Sequence, residues 1–257
     1  MYSQAINSKP PKSLLRSVGR AIANYEMIQA GDRILVGVSG GKDSLSLLNI
    51  LLHLRRYAPV KFDLAAITVN PQIKGFDPSP LKHYMAAKGV NFFYQSQAIE
   101  QRAVNHMGKQ SFCSFCSRMK RGIMYATAKK ENYNVLALAQ HLDDLAESFL
   151  MSAFHGGQLR TMKACYTNDT GELRVIRPLI YTRERQTAAY SQAANLPVIP
   201  DNCPACFDMP TQRQHMKELL AQEERHNPNL FKNLLSTLHP LLDQAYYVRN
   251  TNAGAKD

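Results

Sequence analysis

Residues Arg33 to Leu54, RILVGVSGGKDSLSLLNILLHL, constrain this chain more than any other stretch. An apolar run of strand type (Ile34, Leu35, Val36, Val38) enters a glycine-bearing loop, and an almost uninterrupted leucine-rich helix follows. Gly40 and Gly41 let the backbone turn tightly and approach a ligand as residues with a Cβ could not. Ser39 adds a hydroxyl and Lys42 a cation. Asp43 or Ser44 can cap the helix, whose free N–H groups and positive dipole end then face the loop and favour a polyphosphate.

Spacing separates this loop from its commoner relatives. A P-loop needs Gly, four residues, then Gly-Lys-Ser/Thr, but Val36 stands where the first Gly belongs and Asp43 follows Lys42. The dinucleotide fingerprint fails too, because Gly37, Val38, Ser39 and Gly40 are out of phase with it. SGGKDS resembles instead the PP-loop of the ATP pyrophosphatases, which cleave ATP between the α- and β-phosphates and activate a carbonyl oxygen as an adenylate.

A chain of 257 residues can bury a full core and suggests one large domain or about one and a half. Its formal net charge of +11, spread along the chain, favours a polyanionic partner, nucleic acid above all. No apolar run approaches the roughly twenty residues that span a bilayer, and MYSQAINSKPPK lacks the apolar core of a signal peptide. The expectation is a cytoplasmic protein with no membrane contact. In that reducing compartment five cysteines serve more readily as ligands or nucleophiles than as disulfides.

Along the chain, Ser13 to Ala30 reads as an amphipathic helix. Strands are expected at Asp63 to Val69, Asn91 to Tyr94, Val135 to Ala139 and Arg174 to Ile176. Helices are expected at Pro78 to Lys88, Cys113 to Lys130, Asp143 to Phe154 and Arg183 to Asn195, and again at Thr211 to Arg225 and Pro228 to Leu242. His155 to Asn168 reads as a loop, and four prolines between Pro197 and Pro210 preclude regular structure there. The fold class is α/β, a doubly wound, mostly parallel sheet with helical N- and C-terminal extensions. Residues 1–29 form a basic arm and helix, 30–200 the nucleotide-binding domain, and 201–257 a cysteine-bearing loop and helices packed on it. Ligands in such sheets sit beyond the carboxyl ends of the strands, which gathers Ser39 to Ser44, Thr68 to Asn70 and Gln140 to Asp144 around one crevice.

The second chemical signal is a pair of CxxC motifs, Cys113-Ser-Phe-Cys116 and Cys203-Pro-Ala-Cys206, with Cys165 standing alone. Two such pairs can converge on one metal, and their spacing suits structural zinc or a [4Fe-4S] cluster equally. A helix N-terminus and the neighbouring Arg118, Lys120 and Arg121 favour bound thiolates.

SGGKDS, CSFCSRMKRGIMY, AQHLDDLAESFLM, IRPL and CPACFDMPTQRQ occur in that order. In this order the chain resembles the tRNA 2-thiocytidine synthetases, the cluster-dependent PP-loop tRNA thiolases, from about Leu14 to Leu220. The resemblance implies ATP with Mg²⁺, a [4Fe-4S] cluster held by three cysteines, and thiolation of a cytidine at C2 in the tRNA anticodon loop. The family's paired cysteines fall on Cys113 and Cys116, and its third on Cys206, which precedes the P-x-Q-R segment. The nucleotide set is Ser39, Gly40, Gly41, Lys42, Asp43, Ser44, Thr68, Asn70, Gln140 and His141, with Lys42, Asp43, Asp143 and Asp144 taking the catalytic roles. A sulfur donor (a cysteine desulfurase or free sulfide) and a homodimer are further expectations.

The chain departs from the family pattern at Asn70, where an aspartate is usual, at Gln140-His141, where His-His or Gly-His is usual, and at Cys203, a potential fourth thiolate. The chemistry is coherent on its own terms. A pyrimidine carbonyl is a poor electrophile until its oxygen is adenylated, and Lys42 with the helix N–H groups can stabilise departing pyrophosphate. Of the adjacent Asp143 and Asp144, one can cap a helix while the other holds Mg²⁺. Arg118, Lys120, Arg121, Arg160, Arg174, Arg177 and Arg183 are candidates for tRNA phosphate contacts. Two other readings fit parts of the pattern: an ammonia-using PP-loop ligase with structural zinc, and a zinc-stapled RNA-binding module without catalysis.

Overall fold

The computed structural model describes residues 8–72, 75–99, 101, 112–200 and 211–242, with the side chains of Phe112 and Cys113 outside that set. In chain order the elements are α1 (Lys12–Asn24), β1 (Arg33–Gly37), α2 (Lys42–Tyr57), β2 (Asp63–Asn70), α3 (Ser79–Ala87), β3 (Asn91–Ser96) and α4 (Phe112–Lys130). Then come β4 (Val135–Ala137), α5 (Leu142–Gly156), β5 (Cys165–Thr167), β6 (Arg174–Ile176), α6 (Glu184–Ala193), α7 (Gln212–His226) and α8 (Leu230–Leu242). The strands form one sheet in the order β3-β2-β1-β4-β6-β5. All neighbours run parallel except the β5–β6 edge.

Continuous apolar strands follow from burial on both faces. Ile34 and Val36 point into the larger core, shared with α1, α2, α5 and α8, whereas Leu35 packs with Ala65, Ile67, Leu136 and Val175 beneath Ala128 of α4. Alternation by period two thus survives inside a run that reads as uniformly apolar. The order turns back at β1, with β2 on one side and β4 on the other. The loops leaving β1 and β4 therefore open a crevice at the switch point.

Three expectations on local structure are corrected. The first helix stops at Asn24 rather than Ala30, because Glu26 takes φ +47° and breaks the helical path. Residues 155 to 168 are not one loop: α5 runs to Gly156 and is closed by Gly157 at φ +60°, and Cys165–Thr167 pairs antiparallel with β6. Finally, neither Asp43 nor Ser44 caps α2. The N-cap is Gly41, with no side-chain hydrogen bond to the helix end.

Candidate nucleotide site and cysteine helix

The loop from Val38 to Gly41 is held from below and left open above. Val38 N donates to Ile67 O at 2.8 Å, and the buried Thr68 hydroxyl donates to Val38 O at 2.6 Å. Thr68 thus braces the loop from inside the sheet. Ser44 Oγ donates to Gly41 O at 2.9 Å and accepts from Ser39 N at 3.2 Å, which closes the turn. Gly40 adopts φ +96°, and a Cβ there would lie 3.1 Å from the Ile199 side chain. Glycine is required at Gly40 by both conformation and space. Because Gly41 caps α2 without a side-chain acceptor, the first N–H groups of that helix are left for a ligand. Their chemistry fits phosphate oxygens.

Lys42 stands at this mouth. Its Nζ lies 3.1 Å from Asp43 Oδ2 and 2.8 Å from Glu184 Oε1. Burial opposes its charge, but the hydrogen bonds to Glu184 and Asp43 prevail and raise its pKa. Burial likewise works against the Glu184 carboxylate, yet Lys217 and Lys42 pull its pKa down to about 2. Glu184 Oε2 is 2.7 Å from Lys217 Nζ, so one carboxylate links α2, α6 and α7. Sequence reasoning missed Glu184, because a lone Glu in a helix's first turn reads as a dipole partner.

At the other wall, α5 begins with a capping box built on His141. Its Nδ1 accepts from Asp144 N at 3.3 Å, and the Asp144 carboxylate accepts from His141 N at 3.0 Å. The expectation that Asp143 or Asp144 caps the helix is corrected: His141 is the N-cap, and Asp144, at N3, returns the second capping-box bond. With Nδ1 accepting, the imidazole proton sits on Nε2, 3.8 Å from Asp43 Oδ2. Asp43 Oδ1 accepts from the Thr187 hydroxyl. Asp143 accepts from Arg183 Nε at 3.0 Å and from Glu184 N at 2.7 Å. Asp144 also faces Arg213 NH1 at 3.3 Å, and Glu147, one turn on, faces Arg213 Nε at 3.7 Å. Burial raises the Glu147 pKa to about 7, with Arg213 opposing and Asp144 reinforcing the shift.

Lys42, Asp43, His141, Asp143 and Asp144 thus converge on one crevice. Asn70 lies at its rim, its Nδ2 donating to the Tyr94 hydroxyl at 2.7 Å and its Oδ1 accepting from Gln72 N at 2.7 Å. Asn70 here serves the turn after β2.

Three of the arginines assigned to phosphate contacts are committed elsewhere, which corrects that expectation. Arg174 pairs with buried Asp32, and Arg183 pairs with Asp143 and, through both terminal nitrogens, with Glu224 at 2.7 and 2.9 Å. Arg177 is 4% exposed and donates to Gln140 Oε1 at 2.9 Å and to Lys163 O at 2.6 Å. Arg118 and Arg160 are exposed, and Lys120 and Arg121 are half-buried on α4.

Of the three candidate cluster ligands, Cys116 has a described side chain, whereas Cys206 and the Cys113 side chain lie outside the described residues, as does Cys203. Cys116 is buried against Ile99 and Ile123 in a small apolar cluster on the first turns of α4. A dry, apolar wall beside a thiolate suits an iron-sulfur cluster, whose properties depend on limited solvent access. Cys165 sits on β5, away from that turn in sequence and element, and burial raises its thiol pKa. Among the described residues no helix is long and apolar enough to cross a membrane.

The family model for the PP-loop domain matches residues 12–223. A tRNA-cytidine(32) 2-sulfurtransferase of Geobacter sulfurreducens is 40% identical over 230 residues, covering 88% of this chain and 89% of the relative. One from Nitrosospira multiformis is 39% identical over 249 residues, covering 93% of this chain and 82% of the relative. In fold, the chain is similar to the U34-tRNA thiolase NcsA from Methanococcus maripaludis, solved with its [4Fe-4S] cluster. That likeness has a TM-score of 0.74 and 20% identity, with 91% of this chain and 78% of the other covered. The chain belongs to the PP-loop family and, within it, to the tRNA-cytidine(32) 2-sulfurtransferases.

Proposed function

We propose that this protein is an ATP-dependent tRNA sulfurtransferase that replaces the C2 oxygen of an anticodon-loop cytidine with sulfur, releasing AMP and pyrophosphate. The observation that carries the reading is the open end of α2 beside Lys42, in a chain whose curated relatives at about this length are named for that reaction. It favours thiolation over an ammonia-using ligase or an RNA-binding module. Gly40, Gly41 and the α2 N–H groups bind the departing pyrophosphate, and Lys42 follows its charge. Asp43 and Glu184 keep Lys42 protonated and aimed at the loop before ATP arrives. Asp143 and Asp144 would hold Mg²⁺ on the α5 side, where it would offset charge on the phosphates. Cys113, Cys116 and Cys206 hold a [4Fe-4S] cluster, which when bound supplies an iron site able to carry sulfur to the base. The buried Cys116 wall keeps water from that site.

Exposed Arg118 and Arg160, with Lys120 and Arg121, give tRNA affinity through phosphates. The sulfur comes from a cysteine desulfurase or free sulfide, and the protein acts in the cytoplasm as a homodimer. The test is incubation of anaerobically purified protein with ATP, sulfide and tRNA, followed by nucleoside mass spectrometry and nucleotide analysis. The expected products are 2-thiocytidine and AMP. ADP with phosphate as the nucleotide products would refute the PP-loop chemistry.

A further inference from the structure

We propose that Lys12, Arg16 and Arg20 form a row on α1 that docks the phosphate backbone of the tRNA substrate. The proposal rests on the reading of tRNA as substrate given above and names a surface that holds it.

The three cations stand four residues apart in α1, and all are exposed. At that spacing they share one face, about 6 Å apart along the axis. The opposite face is spent on the core, where Leu14, Val18 and Ala21 are buried. Like charges at this spacing repel and weaken their own helix. Among the described residues nothing offsets that repulsion. None of the three side chains has a hydrogen bond or ion pair there, and Arg20 rests on the Tyr181 ring, its Cζ 4.8 Å from the centroid. Lys42, Arg174, Arg183, Arg213 and Lys217, by contrast, each face a carboxylate.

The surroundings keep the row positive. The first carboxylate side chain of the whole chain is Glu26, beyond the end of the helix. Pro11 at the N-cap gives no side-chain acceptor and the first turn holds no acid, so the positive end of the helix dipole adds to Lys12. Lys9 extends the field to the end of α2, where burial first, and then Lys9 and Arg56, lower the His53 pKa. On the other flank Tyr25 and Tyr181 meet His239 of α8, and Asn227 to Leu242 contain no acid. A basic amphipathic helix that lies on a membrane needs its apolar face free, whereas α1 has buried its own. A regular row of unpaired cations fits a regular row of phosphates, contacts that give affinity without reading bases.

Both ends of α1 are tied to the segment that carries Arg183 and Glu184. Asn24 Nδ2 donates to the Tyr181 hydroxyl at 3.0 Å, and the Tyr190 hydroxyl donates to Ser8 O at 3.3 Å. The row is therefore fixed relative to the nucleotide site. It lies on the sheet face opposite α4, so it is a second contact, separate from Arg118, Lys120 and Arg121.

The experiment measures binding of fluorescently labelled tRNA by anisotropy between about 50 and 200 mM KCl, for full-length wild type, Arg16→Lys and the triple variant Lys12→Gln/Arg16→Gln/Arg20→Gln. The triple variant is expected to bind at least about tenfold more weakly at the lower salt, with the slope of log affinity against log salt reduced by about two to three. The loss should be equal for tRNAs carrying cytidine or uridine at the modified position. ATP affinity should hold, the urea midpoint should not fall, and Arg16→Lys should behave as wild type. An unchanged salt slope in the triple variant overturns the proposal, as does an Arg16→Lys variant that binds as weakly as the triple one. Wild-type binding to phosphatidylserine vesicles that the triple variant loses, with its tRNA slope unaltered, would assign the row to a membrane and overturn it too. A wild type that binds no tRNA at any salt instead overturns the tRNA reading beneath it.

Discussion

Ile199 donates its backbone N–H to the Gly40 carbonyl at 3.0 Å, laying the chain that enters the Cys203 to Cys206 segment directly on the phosphate loop. The same Ile199 side chain fills the space where a Cβ on Gly40 would project. The nucleotide loop and the residues that lead into the cysteine segment, distant in sequence, are therefore built on each other. The helix that follows the segment extends the link, because Lys217 and Arg213 of α7 reach Glu184, Asp144 and Glu147.

Gly40→Ala is expected to cost about 1–3 kcal/mol of stability, from the positive φ and the crowding against Ile199. It should also raise the KM for ATP by displacing the loop. Combining it with Ile199→Ala removes the terminal contacts and should restore part of the stability, while the φ strain persists. Urea denaturation of the two single variants and the double variant measures this; simple additivity would show that Ile199 is not the obstructing group.

How far the sequence foretold these relations depends on the range over which each is encoded. β1, the loop and α2 are legible because a long apolar run, two glycines and a leucine-rich helix are local signals. β5 is invisible, since Cys165-Tyr166-Thr167 is a strand only through its hydrogen bonds to β6. The capping box at His141 does leave a trace, as His-x-x-Asp has the spacing of Ser-x-x-Glu, but histidine is an uncommon cap. Glu184 and Ile199 leave none, because Lys42 and Gly40 lie over a hundred residues from them and a charge or a branched side chain has many bland uses. The arginines mislead for a related reason: a count of cations cannot tell Arg118, in solvent, from Arg177, in the interior.

Lys42→Ala should lower AMP formation by at least about a hundredfold, because charge on departing pyrophosphate loses its cation, with little effect on folding. Glu184→Gln should act differently. With its pKa held near 2, against an ordinary 4.5, Glu184 contributes stability that is present above pH 4.5 and lost as pH falls toward 2. The Gln variant is expected to be less stable by about 1 kcal/mol at pH 7 and to show a shallower stability loss in that acid window. Guanidinium titrations across the window, paired with turnover at neutral pH, separate the two roles.

Cys113→Ala, Cys116→Ala and Cys206→Ala should each lose iron and acid-labile sulfide, whereas Cys165→Ala keeps both. Cys203→Ser should keep the cluster and activity, leaving one iron open to bind added sulfide. Mössbauer spectra with and without sulfide check the set. Iron loss in Cys165→Ala, or iron retained in Cys116→Ala, would require a different ligand assignment.

Glu147 makes the opposite acid-base prediction from Glu184. It is 4% exposed, and burial raises its pKa from 4.5 to about 7. The folded protein thus holds a proton that the unfolded chain has given up, so this group's contribution falls as pH rises from 4.5 through 7 and stays low above. Glu147→Gln keeps the neutral shape at every pH. The variant should match wild type near pH 5 and exceed it by about 1–2 kcal/mol at pH 8, offset in part by the lost attraction to Arg213. Chemical denaturation at the two pH values reads the difference directly. A variant less stable than wild type at pH 8 would mean that the Arg213 pair outweighs burial and that Glu147 is ionised in the native protein.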